Sequence, residues 1–416
     1  MSFLPALLIG RLIRFLVRLV RPGGGSALPG LIVSKFAPSL VYKTLNSFKQ
    51  GLVVITGTAG KSTTTKMAVA IVRAHGVNVF TNPSTANIEQ GFFSTIVKTG
   101  DLFGRVPGDI AILEMDEGHA AALVQKVKPR ISVILNVFDD QIDRFVDPAL
   151  VRDKLKVIAE QTNGLVLLNA DDQNCRIIGQ GIGKSKWFSI NPEVGQIDYA
   201  KTYLPELSRQ TSDYEVAELV DRSLKLRVEN SEIQFELPAR GLHFALDAVA
   251  AVAAAKAILG ANFDEKLTTK VLNELPPVFS RGEIREVNGE PVEFILVQNP
   301  ISMQLNLDNL QGNPEQVFFA IGRDVHDPSW MWTVDLSNLK SVAMVSGFNY
   351  ADAALLLEYH DIPIENVERE YFKAIDTFFA LPKPTKGIKT VIYSADAMRR
   401  LRRYKGFTDP EDVKRV

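Results

Sequence analysis

The chain has 416 residues, enough for two or three domains, and at 46% hydrophobic and 23% charged it has the composition of a folded globular protein. A net charge of -1 excludes a chain built as a whole to bind nucleic acid, and a lone cysteine, Cys175, excludes an internal disulfide framework and a four-cysteine metal site. No uncharged apolar run reaches the roughly 18 residues of a membrane span, so no transmembrane helix is expected.

The first element in the chain is unusual. In SFLPALLIGRLIRFLVRLVR (2–21), Arg11, Arg14, Arg18 and Arg21 recur every three or four residues, on one face of a helix. Leu12, Phe15, Leu16, Leu19 and Val20 occupy the rest. Such a helix can lie in a membrane interface, or pack on the protein's own surface with its arginines solvated. Arginines interrupt the apolar run, which argues against a signal peptide. RPGGGSALPG (21–30) then reads as a flexible break.

From Gly51 strands and helices alternate. GLVVIT (51–56) is a short run rich in β-branched residues, hence a buried strand, and STTTKMAVAIVRAHG is the helix after it, closed by Gly76. VNVFT (77–81), DIAILEMD (109–116), ISVILNV (131–137) and GLVLLNADD (164–172) are further strands. This order predicts a parallel sheet covered on both faces. Within 175–240, SLKLRVEN and SEIQFELP alternate as antiparallel strands do, and FALDAVAAVAAAKAILG (244–260) is an alanine-rich helix. A second α/β unit begins after Arg281, with FILVQN, VFFAIG, SVAMVSG and TVIYS as its strands. The expected organisation is a basic segment (1–45), a central domain (46–282, with a variable insert at 175–240) and a C-terminal domain (283–416).

TGTAGKSTTT (56–65) lies between a strand and a helix, the setting a phosphate-binding loop requires. Glycines let backbone N–H groups turn toward phosphate oxygens, and the helix N-terminus adds partial positive charge. Lys61 reaches the β- and γ-phosphates, and Ser62 places its hydroxyl on Mg²⁺. Ile55 stands where the longer Walker pattern has its first glycine, so the loop has the shorter form TGTxGK[ST].

That short form resembles the TGTxGK[ST]TT signature of the Mur ligases and folylpolyglutamate synthetases, which phosphorylate a carboxylate with ATP and let an amine attack the acyl phosphate. The resemblance implies an α/β fold, a P-loop parallel-sheet central domain followed by a smaller Rossmann-like domain. It implies nucleotide contacts from Thr56, Gly57, Thr58, Gly60, Lys61, Ser62 and Thr63, with Lys61 catalytic. ILEMDEGH (112–119) supplies Glu114, matching the family's magnesium-binding glutamate, so Ser62 and Glu114 are the implied Mg²⁺ ligands. LLNADD (167–172) resembles the segment near the adenine and implies Asn169 and Asp172, and Arg281 is a further implied nucleotide contact. In PARGLHFALDAVAA (238–251), Gly241 and His243 match, whereas Phe244 and Asp247 replace two asparagines; His243 is equally a packed helix-start histidine. Spacing leaves open whether Lys154 or Lys156 is carbamylated, as a lysine is in other members.

Within the family the chain resembles the MurT branch, the ligase subunits of lipid II isoglutaminyl synthase. NVFDDQIDRF (136–145) has Gln141 where most members have a histidine, and the phosphate loop comes only about 55 residues in, without the N-terminal UDP-binding domain of other Mur ligases. TNPSTANIEQG (81–91) matches the branch at Thr81, Asn82, Ala86, Asn87 and Gly91, implying Asn82 and Asn87 as substrate contacts. DVHDPSWMWTVD (324–335) matches at Asp324, Asp327, Ser329, Trp330 and Trp332. By resemblance, Asp327 completes the Cys-His pair of a separate GatD-type glutaminase subunit in trans. The likeness runs from residue 46 to about 400, but the branch's four-cysteine zinc ribbon within 175–240 is missing, so no zinc is expected. The implied reaction is ATP- and Mg²⁺-dependent amidation of the D-isoglutamate α-carboxylate of lipid II. The implied location is cytoplasmic, at the inner face of the cell membrane, with contact through residues 2–21. Joining an amino acid to another carboxylate, or a non-catalytic nucleotide-binding scaffold, are the alternatives.

Overall fold

The computed structural model describes residues 3–20, 28–82, 89–101, 103–138, 147–202, 204–276, 281–310 and 314–407, without the side chains at 18–20, 89, 90 and 281. Asn87 and Gln141 lie outside these residues, as does the Arg281 side chain. The chain divides into two compact units: residues 1–138, 148–237 and 242–275 form the first, and 139–147, 238–241 and 276–416 the second.

The first unit opens with three helices, α1 (Leu4–Val20), α2 (Leu28–Phe36) and α3 (Ser39–Asn46). Then come β1 (Leu52–Thr56), α4 (Lys61–Ala74), β2 (Val79–Phe80), α5 (Glu89–Thr99), β3 (Ile110–Glu114), α6 (Glu117–Leu123) and β4 (Ile131–Ile134). α7 (Pro148–Glu160), β5 (Leu165–Asn169), α8 (Gln173–Gly179) and β6 (Ser185–Ile190) continue the alternation. β7 (Tyr214–Val220), β8 (Ser223–Val228) and β9 (Ser231–Glu236) lead into α9 (Leu242–Leu259) and α10 (Glu265–Asn273). One nine-stranded sheet results, in the order β2-β3-β1-β4-β5-β6-β7-β8-β9. It is parallel as far as β7 and antiparallel beyond.

Burial follows from composition. β1, β3 and β4 are buried at every position, as strands covered on both faces must be, and are apolar except for Thr56, Glu114 and Ser132. β8 alternates instead, with Leu224, Leu226 and Val228 buried while Lys225 and Arg227 pair with Glu218, Glu232 and Glu215. The antiparallel strands expected in the insert are present, but not as a separate small sheet. β7 pairs in parallel with β6, so β7, β8 and β9 extend the main sheet. The insert is fastened by stacking of Tyr199 on Phe138, with ring centroids 5.2 Å apart, and by the Arg209–Asp171 ion pair at 2.8 Å. α9 is apolar and long enough to cross a membrane by composition, yet 78% of that stretch is buried: it is the core helix under the sheet. Its alanines let it pack closely on α4 and on β4 to β8.

The second unit contains β10 (Arg281–Val287), β11 (Glu290–Leu296), α11 (Pro300–Leu307), β12 (Val317–Ile321), β13 (Met344–Gly347), α12 (Tyr350–Tyr359), α13 (Tyr371–Ala380), β14 (Lys389–Tyr393) and α14 (Ala395–Tyr404). Its sheet runs β10-β11-β14-β12-β13, parallel except for the β10–β11 hairpin. Asn288 and Gly289, at φ 54° and 80°, turn that hairpin, as an Asn-Gly pair favours. A buried ion pair, Arg402 Nη1 to Glu283 Oε2 at 2.9 Å, ties α14 to β10.

Candidate active site

The loop between β1 and α4 is shaped by two glycines. Gly57 (φ 133°) runs so close to Asn136 that a Cβ on it would stand 2.9 Å from the Asn136 backbone nitrogen. Gly60 (φ 83°) precedes α4, and a Cβ there would meet Asp247 Oδ1 at 2.0 Å. Both take a left-handed conformation that other residues adopt only at a cost.

Asn136, just past β4, clamps this loop. Its side chain accepts from Ala59 N at 2.9 Å and donates to Ala59 O at 3.2 Å, while its carbonyl accepts from Thr58 N at 3.1 Å. Phe138 N donates to Thr58 Oγ1 at 3.2 Å. Sequence reasoning quoted Asn136 only as the start of a motif; its position just beyond a strand facing the loop was the available signal.

Lys61 folds back over the loop. Its ammonium donates to the carbonyls of Gly57 and of Thr58, the latter at 3.0 Å, and lies 3.5 Å from Glu117 Oε1. Glu117 is buried and was not assigned a role from sequence. Ser62, the second residue of α4, donates from Oγ to Glu114 Oε1 at 2.9 Å at the end of β3. Both are buried, and this contact joins the strand end to the helix start through two oxygens. Asp116 caps α6, accepting from Gly118 N and His119 N. Of the two lysines considered for carbamylation, Lys154 reaches this end of α6, its Nζ 3.4 Å from where a Cβ on Gly118 would stand.

The remaining implied residues fall at several places. Thr56 and Thr63 are buried, and the Thr56 hydroxyl has no hydrogen-bond partner. Asn82 is buried and exchanges two 3.0 Å hydrogen bonds with the Glu114 backbone. Asn169 and Asp172, both with no exposed surface, hold the segment that carries Asn136. Asn169 donates to Leu135 O at 3.0 Å and to Tyr199 Oη at 3.1 Å, and Asp172 accepts from Val137 N at 2.6 Å and Asn174 N at 2.8 Å. Burial raises the Asp172 carboxyl to about 6 against the pull of those N–H donors. The His243 ring lies 4.2 Å from the Phe244 ring.

In the second unit the two aspartates of DVHDPSW part company. Asp324 accepts from Ser394 Oγ at 2.6 Å, Ala395 N at 2.8 Å and Asp396 N at 3.0 Å, capping α14. Asp327 is exposed and starts a 3-10 turn (Pro328–Thr333) by accepting from Ser329 N at 2.9 Å. The Ser329 hydroxyl and N–H hold its carboxyl below the usual aspartate value. Trp330 is packed in the core, whereas Trp332 is 40% exposed and meets Tyr359 edge-on at 5.2 Å.

Glu114 at the end of β3 thus meets Ser62 at the start of α4, next to Lys61 and the glycine loop. The family model described as "Mur ligase middle domain" matches residues 55–255, and the model described as "MurT ligase C-terminal" matches residues 296–395. The chain belongs to the Mur ligase family. It is 25% identical over 400 residues to the lipid II isoglutaminyl synthase (glutamine-hydrolyzing) subunit MurT of Streptococcus pneumoniae, covering 87% of this chain and 88% of that one. The Mur ligase fold is also seen in MurF of Thermotoga maritima solved with ADP, at TM-score 0.67, 18% identity, and 92% and 85% coverage. The folylpolyglutamate synthase of Mycobacterium tuberculosis aligns at TM-score 0.65, 15% identity, and 92% and 99% coverage.

The oxygen donors fit magnesium. Ser62 Oγ and Glu114 Oε1 converge within 2.9 Å, and Mg²⁺ takes one or two protein oxygens and completes its shell with water and phosphate. Among the described residues no cluster of three or more His, Cys, Asp or Glu could hold a metal by itself.

Proposed function

We propose that this chain is the ATP-dependent ligase subunit of an amidating enzyme, which converts the D-isoglutamate α-carboxylate of lipid II to an amide with ammonia from a separate GatD-type glutaminase. The observation that carries it is the joint presence of the Lys61–Ser62–Glu114 constellation and a second unit of the MurT C-terminal family. The pneumococcal relative, alike over nearly its full length, is named as a subunit of that glutamine-hydrolysing synthase.

Loop amides and Lys61 hold the β- and γ-phosphates; Glu117 keeps the lysine directed along the loop. Ser62 and Glu114 hold Mg²⁺, which supplies positive charge for the phosphates when bound. A carboxylate oxygen of the acceptor attacks the γ-phosphorus, the bond to the β–γ bridging oxygen breaks, and ADP leaves. Ammonia then attacks the acyl carbon, phosphate departs with its electron pair, and the nitrogen loses a proton. Catalysis rests on positioning and on charge stabilisation.

Asp327 is presented outward and ionised, as a residue must be to orient an imidazole on another subunit. The exposed Trp332 and Tyr359 on the same unit offer the aromatic contact area that interfaces favour. A lipid-linked acceptor implies work at the inner face of the cell membrane, with contact through residues 2–21.

The test is ADP release by the purified chain with Mg²⁺ and ATP. Release that requires both the lipid-linked acceptor and ammonium, and is lost in Lys61→Ala, supports amidation. Release driven by an amino acid instead of ammonium would move the chain to the amino-acid-adding ligases.

A further inference from the structure

Helix α1 differs from an ordinary surface helix in being apolar on its outward face as well as its buried one. Its outward residues include Leu8, Leu12, Phe15 and Leu16, at 50%, 58%, 60% and 50% exposure, and their spacing places them on one face. The inward side carries Leu7 and Gly10, both buried, and Arg11. Arg11 donates to the carbonyls of Val97, Gly100 and Asp101 at the C-terminal end of α5, where the helix dipole favours a cation. Thus a basic side chain faces the protein while the apolar stripe faces solvent.

Elements next to α1 carry further exposed aromatic side chains. Phe103, 67% exposed, lies on the turn between Asp101 and Arg105, beside the carbonyls that Arg11 grips. Gly104 in that turn is close to Leu7: a Cβ on it would stand 3.7 Å from Leu7 Cδ1. α2 packs on α1 and ends in Phe36, 69% exposed. A soluble surface seldom leaves a stripe of large apolar side chains such as that on α1 exposed unless something covers it.

Charge indicates what covers them. Residues 1–50 contain seven Lys or Arg and not one Asp or Glu. An apolar stripe set in sequence of one sign matches a surface that is apolar inside and negative outside, an anionic bilayer. We propose that the outward face of α1, with Phe36 and the Phe103 turn, is a docking face that seats the enzyme on anionic membranes. On this reading α1 lies in the plane of the interface, its leucines and Phe15 in the acyl boundary. The proposal deepens the reading of a lipid-linked acceptor and rests on it for its purpose, but its measurement does not depend on that acceptor.

The experiment is flotation of the full chain with vesicles of phosphatidylglycerol and phosphatidylcholine, against phosphatidylcholine alone. Leu12→Glu/Phe15→Glu is compared with Val220→Glu, a control at an exposed position on β7. Retained ATP binding shows that each variant is folded. Expected is binding to the anionic vesicles that weakens with salt, falls at least tenfold in the double variant and is unchanged in the control. Absence of binding, or equal binding by the double variant, overturns the proposal. A wild-type dimer in the absence of lipid that the double variant dissolves also overturns it, assigning the face to a second copy. ATP turnover on a water-soluble stem-peptide acceptor separates the two readings: a membrane-docking defect leaves it intact, whereas failure of the amidation reading abolishes it in wild type as well.

Discussion

Asn82 and Glu114 are joined by two reciprocal hydrogen bonds of 3.0 Å, the Asn82 amide donating to the Glu114 carbonyl and the Glu114 N–H donating to the Asn82 side-chain oxygen. The pair continues the β2–β3 ladder past its last backbone rung, Phe80 with Ala111. It therefore fixes the peptide whose side chain accepts from Ser62. Removing the amide leaves two buried backbone groups unpaired, a cost of about 1–3 kcal/mol each. Asn82→Ala is expected to raise the Mg²⁺ concentration needed for half-maximal ATP turnover by about tenfold. A raised KM for the acceptor alone would make Asn82 a substrate contact instead.

Asn136 holds Ala59 through both ends of its amide. Asn136→Ala frees the loop and is expected to weaken nucleotide binding by roughly 10- to 100-fold, since a preformed loop no longer awaits the phosphates. Titration calorimetry with a non-hydrolysable ATP analogue measures this directly. An unchanged Kd would show that the loop keeps its shape without the clamp.

Glu293 on β11 is buried, and its Oε2 has no hydrogen-bond partner. Burial raises its carboxyl from the usual 4.5 to about 7, against the pull of Arg240 and of a hydrogen bond from Thr390. Between these values the folded protein keeps a proton that the unfolded chain releases. Stability from this group is therefore fully present below about 4.5, falls as pH rises through the window, and is level above about 7. The difference amounts to about 3 kcal/mol. Glu293→Gln removes the titration, so its Tm should vary less between these pH values than that of wild type. Parallel curves would contradict the assignment.

Asp327 is exposed and takes no part in holding ATP in this account. Asp327→Asn should leave ammonium-driven amidation near the wild-type rate and reduce glutamine-driven amidation by about a hundredfold or more in the presence of the glutaminase subunit. Equal loss with both nitrogen sources would place Asp327 in the ligase chemistry or in folding.

Much of this was legible in the sequence because local pattern and tertiary demand agree. GLVVIT carries four consecutive apolar residues, Leu52 to Ile55, which lie in the buried β1, and the loop glycines stand where positive φ is required. SLKLRVEN and SEIQFELP alternate and pair antiparallel. Their attachment to the main sheet was not legible, because it depends on a parallel pairing with β6, which short-range pattern does not encode. The β10–β11 hairpin carried its signal in Asn288-Gly289, which the reading passed over. At the site, Ser62 meets Glu114, and Lys61 folds back over its own loop toward Glu117. Asn136 and Glu117 escaped notice because their roles come from distant segments meeting, 77 and 56 residues from their partners. Asn169 and Asp172, implied as nucleotide contacts by resemblance, are engaged inside the protein, and a matched motif does not tell a polar residue aimed at a ligand from one aimed at the backbone. The inward arginine and outward leucines of α1 were likewise beyond a helical pattern, which gives two faces but not which one meets the protein.

The central claim is that this chain turns one carboxylate of a lipid-linked acceptor into an amide at the expense of ATP. The most direct measurement is a mass spectrum of lipid II after incubation with the purified protein, Mg-ATP and ammonium chloride, with Lys61→Ala alongside. Wild type, and not the variant, is expected to convert a single carboxylate to an amide, located on the isoglutamate residue by fragmentation. Unchanged lipid II in a preparation that binds and hydrolyses ATP with some other carboxylate and amine would contradict it.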